Sequence, residues 1–130
     1  MSSPFVVRRT PKSIGEAFID LRRSADAAKW GILGVHDFSE ILASKGFQTA
    51  GSYKILQICA PAHASDMLAQ DPLIGLCMPC NILVYSEAGQ TKIAALALTY
   101  MLPNMFGNKA MLERAPEIER EVTAIIDAAV

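Results

Sequence analysis

Three stretches of this chain carry apolar residues at consecutive positions: "YKILQICA" (residues 53–60), "NILVY" (81–85) and "KIAALALT" (92–99). Successive side chains of a strand point to opposite faces, so a half-solvated strand alternates apolar with polar residues. Here Ile55 and Cys59 lie opposite Leu56 and Ile58. Leu83 and Tyr85 lie opposite Ile82 and Val84, and Leu96 and Leu98 opposite Ile93 and Ala95. Strands of this kind need cover on both faces. Two long helical stretches can supply it. Residues 13–29 open with Ser13 as cap and Glu16 completing a capping box, and Ile14, Ala17, Phe18, Leu21, Ala25 and Ala28 form one apolar stripe. The second runs from about Ala110 or Pro116 to Ala128, with Ile118, Val122, Ile125 and Ile126 on one side. A single stripe per helix puts both helices in one layer on one face. The other face is left to a second copy of the chain or to an apolar ligand.

The remaining segments fit the same plan. "FVVRR" (residues 5–9) is a short strand closed by Thr10-Pro11, and Trp30 to His36 reads as a second strand. Asp37 caps a short helix over "FSEILASKG", with Glu40 at the matching position and Gly46 as the stop. Pro61 begins a helix over "AHASDMLAQ" that halts at Asp71-Pro72. "SEAGQ" turns the last two strands into a hairpin, and "MLPNMFGN" (101–108) reads as irregular. The expectation is one α+β domain over residues 1–130: two layers, a mostly antiparallel sheet packed against two long helices, with short helices inserted.

Hydrophobic residues make up 52% and charged ones 19% of the 130, which is apolar for a small domain and favours an oligomer or an enclosed ligand. The net charge is −1 and the basic residues are scattered, which argues against nucleic acid as a partner. No run reaches membrane-spanning length and the start lacks the apolar core of a signal peptide, so neither a membrane nor export is expected. Three cysteines, an odd number, do not form a secreted disulfide framework. The chain is expected in the cytoplasm with reduced thiols.

Two of those thiols sit in "GLCMPCN", and three roles compete. A Cys77–Cys80 redox couple needs a turn, since extended backbone would part the α-carbons by about 10 Å against a disulfide reach of about 7 Å. Pro79 at the third position is disfavoured in a type I turn and suits a cis proline, which few X-Pro bonds adopt, and Cys80 leads into a strand rather than a helix N-terminus. A metal site could use Cys59, His63, Cys77 and Cys80, three thiolates and an imidazole, a set that zinc accepts. The third role is packing, with Cys59 and Cys80 as small buried residues where their strands crowd together. Packing is the favoured reading, with Cys80 retained as a candidate reactive thiol and Cys59 as its partner.

Elsewhere the signals are structural. His36 beside Asp37 could suggest an acid–base pair, but Asp37 is accounted for as a cap and His36 ends a strand facing solvent. Ser52, Ser65 and Ser86 lack the context of a nucleophile, and Gly31 and Gly34 do not make a phosphate loop. Met67, Met78, Met101, Met105 and Met111 fall late in the chain, where they suit a core, an interface or an apolar groove. No catalytic residue and no cofactor is assigned.

The stretch "WGILGVHD…YKILQICAP…DPLIGLCMPCNILVY" resembles the bacterial and archaeal family called Domain of Unknown Function 302. The match rests on Cys59 followed by Pro61, on Asp71-Pro72, on Ile74-Gly75-Leu76, on Pro79-Cys80-Asn81, and on Asp37 after its glycine-bearing strand. The chain departs from the family pattern at Ala60, at Cys77 and Met78, and at His63, so Cys59 and Cys80 look like family features and Cys77 and His63 like local variation. The resemblance implies a fold of the TATA-binding-protein-like type, with a curved antiparallel sheet under helices, and a dimer. It implies no known activity, and it carries a pointer to sulfur metabolism. The expected function is non-catalytic binding of a small molecule or a partner protein by a homodimer. The alternative is a thiol-dependent protein of sulfur or redox metabolism acting through Cys80, with Cys59.

Overall fold

The computed structural model describes residues 3–130; Met1 and Ser2, included in the expected domain, lie outside it. Five strands form one open, antiparallel sheet: β1 (Phe5–Thr10), β2 (Gly31–Asp37), β3 (Tyr53–Cys59), β4 (Cys80–Glu87) and β5 (Gln90–Leu96), in the order β1-β5-β4-β3-β2. The helices are α1 (Ile14–Ala27), α2 (Phe38–Ala43), α3 (Pro61–Gln70), α4 (Leu98–Met105) and α5 (Lys109–Ala129), with a 3-10 helix over Pro72–Cys77. The α+β expectation holds, and every strand pairing is antiparallel.

Local chemistry sets the boundaries. Ser13 and Glu16 exchange both bonds of the capping box that starts α1, and the Asp37 carboxylate accepts the Glu40 N–H at the start of α2. The β4–β5 hairpin turns on Ala88 and Gly89, with φ of 52° and 78°; this left-handed pair matches the twist of the strands it joins. At Gly51 a side chain has no room, because a Cβ would stand 2.7 Å from the Ser86 carbonyl oxygen.

Two helical segments were not expected. The irregular reading of residues 101–108 is corrected: residues up to Met105 belong to α4, which also takes Leu98 and Thr99 from the expected strand. Residues Pro72–Cys77 form a 3-10 turn, begun by the Asp71 carboxylate accepting the Leu73 N–H. The last helix starts at Lys109 and runs through Pro116.

The register resolves the strand faces. Val6, Ala95, Ile82, Leu56 and Val35 pair in one row across all five strands; Arg8, Ile93, Val84 and Lys54 form the next. Those rows face α1 and α5. Leu56, Ile82, Val84 and Ile93 are fully buried against Leu21, Ile125 and Ile126, Arg8 reaches Asp127 of α5, and Lys54 lies over the Phe18 ring of α1. The opposite face carries the row Val7, Ala94, Leu83, Ile55 and His36, with no helix of the α1–α5 layer over it. On one side of that row Phe5 and Leu96 extend the apolar surface while Asn81 and Gln57 interrupt it, and on the other side lie Arg9 and Lys92. His36 does not simply face solvent. Its Nε2 lies 2.9 Å from Gln57 Oε1 on the neighbouring strand.

Candidate functional site

At the end of the sheet where β3 stops and β4 begins, the strands, α3, the 3-10 turn, α4 and α5 line a half-open cavity of about 50 Å³. All three cysteines of the chain contribute to its wall, with His63, Met67, Met78 and Trp30. Topology explains the convergence. Cys59 is the last residue of β3, Cys77 the last of the 3-10 turn and Cys80 the first of β4, so three element ends meet at one point.

Convergence does not make a thiolate centre. Cys80 pairs with Ile58, not with Cys59, so strand alternation aims the Cys80 and Cys59 side chains at opposite faces. No three of Cys59, His63, Cys77 and Cys80 bring their ligand atoms within 4.8 Å of one another. All three cysteines are free and half-buried. Burial, reinforced by Cys59 and Cys77 nearby, pushes the Cys80 thiol up to about 11. A thiol held there is protonated at neutral pH and is a poor nucleophile. The Met78–Pro79 peptide between Cys77 and Cys80 is cis.

The polar part of the site is a hydrogen-bonded chain from three elements. His63 on α3 places Nε2 2.6 Å from Glu121 Oε2 on α5. The Trp30 indole N–H, just before β2, donates to Glu121 Oε1 at 3.2 Å, and the Trp30 and His63 rings lie 6.0 Å apart. Arg114 Nε donates to His63 Nδ1 at 3.3 Å and lies equally far from Asp66 Oδ2. Because Nδ1 accepts, the ring proton sits on Nε2 and faces Glu121. Desolvation raises the Glu121 carboxyl, but the hydrogen bonds from His63 and Trp30 and the nearby Arg114 guanidinium outweigh it and hold the group below the usual range.

Two chemistries follow from this geometry. His63, Glu117 and Glu121 form a donor set whose ligand atoms lie within 4.8 Å of one another. A cation there would need the Nε2 lone pair, and the Arg114 contact leaves the proton on that atom. Both ring nitrogens are likewise engaged away from the thiols, so His63 is not set up to take a proton from Cys59, Cys77 or Cys80. What remains is an apolar, sulfur-rich cavity whose polar neighbours are bonded to one another. Among the described residues, no buried side-chain polar atom lacks a partner.

The expected candidates were thus brought to one place, but the members of the polar chain other than His63 were missed. Glu121 lies 58 residues from His63 and 91 from Trp30, beyond any local pattern. One signal was available: Arg114, Glu117 and Glu121 recur at helical spacing as a polar stripe beside the apolar stripe of α5.

A crystal structure described as that of an uncharacterized conserved protein DUF302 from Bacillus stearothermophilus is similar to this chain at 27% identity. The alignment covers 99% of this chain and 100% of that one, with a TM-score of 0.92. No curated protein matches. The family model described as "Domain of unknown function DUF302" matches residues 6–129. The chain, from the first strand to the end of the last helix, belongs to the DUF302 family.

Proposed function

We propose that the protein is a non-catalytic domain that binds a small, neutral, apolar molecule in the cavity bounded by Trp30, the three cysteines and Leu102. The carrying observation is the internal satisfaction of the site. His63, Glu121, Trp30 and Arg114 bind one another, so no polar group is left waiting for a polar ligand, while the remaining wall is hydrocarbon and sulfur. A wall of hydrocarbon and sulfur favours an apolar guest over water. The thiol-dependent alternative needs an ionised Cys80 near neutral pH, which burial opposes.

The same reading makes the protein a homodimer in the cytoplasm. A two-fold axis would bring the bare sheet face against its copy, with the row Val7, Ala94, Leu83 and Ile55 as the dry centre and Arg9, Lys92, Asn81 and Gln57 as the polar rim. That is the usual anatomy of an interface, which buries roughly 800 Å² per partner. Phe5, Val7 and Leu96 are exposed on this face in the single chain. The bare sheet is also what favours the TATA-binding-protein-like type. No helix is long and apolar enough to cross a membrane, and the three cysteines are free, as a reducing compartment requires.

Xenon tests the cavity directly. A saturable ¹²⁹Xe shift with the native protein, abolished in Ala64→Leu, which fills the space, is the expected result. Absence of saturable xenon uptake by a folded wild-type protein would remove the binding reading.

A further inference from the structure

The cavity has a neighbour. A larger cleft of about 280 Å³ lies beside it, and both spaces are bounded by Cys77, Met78, Pro79, Cys80 and Leu98. The segment Cys77–Cys80 together with Leu98 is therefore a wall common to the two spaces, the partition between them. Its side chains are of the kind that yield: two thiols, and Met78 and Leu98 with several rotamers each. The outer cleft continues the apolar lining with Leu96, Met101, Met105 and Val122. Unlike the inner cavity it also offers open polar atoms. Asn81 is exposed, and Glu119 holds the start of α4 through Oε1 alone, accepting from the Thr99 N–H and hydroxyl at 2.9 and 2.7 Å.

We propose that the two spaces form one site for an unbranched aliphatic chain ending in a hydrogen-bond donor, a hydroxyl or an ammonium. The tail passes the Met78–Leu98 partition into the inner cavity against Trp30, and the head stays outside at Glu119 and Asn81. This inference rests on the apolar-ligand reading above and adds its shape and head group. The asymmetry of the polar atoms carries it. All of those at the inner end are mutually bonded, so only the outer end can recognise a head group, and the carboxylate of Glu119 selects a donor and repels an anion.

Trp30 is the only tryptophan and lines the inner cavity, so its emission reports whether a tail has arrived. A homologous series of n-alkanols from butanol to dodecanol is titrated against the wild type, with the matching n-carboxylates as controls. The expected result is a Trp30 response that begins only at a threshold chain length, with affinity rising roughly threefold to fourfold per added methylene as each is buried. Carboxylates of equal length should bind at least about tenfold more weakly, by charge repulsion at close range. Glu119→Gln, which keeps Oε1 as the α4 cap, should narrow that gap, and Met78→Phe should raise the threshold. A Trp30 response to short and long alkanols alike would overturn the joint site while leaving the inner cavity as a binding site. Equal affinity for alkanols and carboxylates would overturn the head-group assignment. Silence of Trp30 to every alkanol, with xenon uptake intact, would mean that the partition does not open; silence together with no xenon uptake would bring down the apolar-ligand reading as well.

Discussion

The two faces of the sheet are built from the same kinds of residue and live in different solvents. On the covered face, Leu56, Ile82, Val84 and Ile93 are fully buried beneath α1 and α5. On the bare face, Phe5 is 58% and Leu96 47% exposed, and their row neighbours are only partly shielded by one another. Adjacent positions along one strand, such as Leu83 and Val84, thus have separate roles. One holds the monomer together; the other is free to hold something else. Burying a side chain of this size contributes about 1.5–3 kcal/mol, so the covered face accounts for stability and the bare face for whatever the domain joins.

The largest effect expected separates the faces with one substitution each. Val84→Lys places an unpaired ammonium where no water reaches, a cost of several kcal/mol that is comparable with the whole stability of a domain this size. It should unfold the protein by circular dichroism. Leu96→Lys should leave urea-unfolding stability within about 0.5 kcal/mol per chain, yet shift sedimentation from dimer to monomer. A Leu96→Lys protein that sediments like the wild type would remove the sheet face from the interface.

A smaller contrast lies at the cavity, where both faces end. Cys80 shares the covered face with Ile58, so Cys80→Ala should cost about 1 kcal/mol, as small buried truncations do. Cys59, aimed the other way at the strand's end, should cost about half of that. Denaturant titrations of the two variants decide it, and a larger loss at Cys59 would mean that the covered face does not extend to the cavity.

The smallest effect concerns acid. Glu121 has a folded pKa below its ordinary value, so its contribution is fully present above the ordinary carboxylate range and is lost as pH falls through the folded value. Between neutral pH and the acid limb, wild-type stability should therefore decline more than that of Glu121→Gln, measured by thermal unfolding. Parallel pH profiles would show that the His63–Glu121 contact adds nothing to the fold.

What could be read from the chain beforehand divides along local and distant partners. Ser13 with Glu16, and Asp37 with Glu40, are caps whose two halves lie three residues apart, and both helices began where expected. Helix α4 was invisible for the complementary reason. Ala97 makes no side-chain cap, Pro103 sits inside, and the N–H of Thr99 is satisfied by Glu119, twenty residues on. The site followed the same rule. The cysteines stood out because their spacing is local, while Trp30, Glu121 and Arg114 gained meaning only once α5 lay beside α3. The bare face was expected to be apolar throughout; register, which no composition reveals, put Asn81 and Gln57 in one of its rows and Lys92 in another.

The strand order has a consequence for how the chain is made. Strands β2 to β5 each pair with their neighbour in sequence and can zip up as they leave the ribosome, whereas β1, the first strand synthesised, belongs beside β5. It must wait for Leu96 before Phe5 finds its partner, and contacts this distant in sequence are slow to close. The final seal comes later still, when the end of α5 meets the start of the chain through Arg8 to Asp127 and Lys12 to the Ala129 carbonyl. Until then the covered face of the nascent meander has only α1 to shield it, and the other face is bare. The interval between the emergence of residue 96 and that of residue 129 is when a growing chain is most prone to adhere to its neighbours, and substitutions that delay α5 would lower the yield of folded protein even where they leave its final stability unchanged.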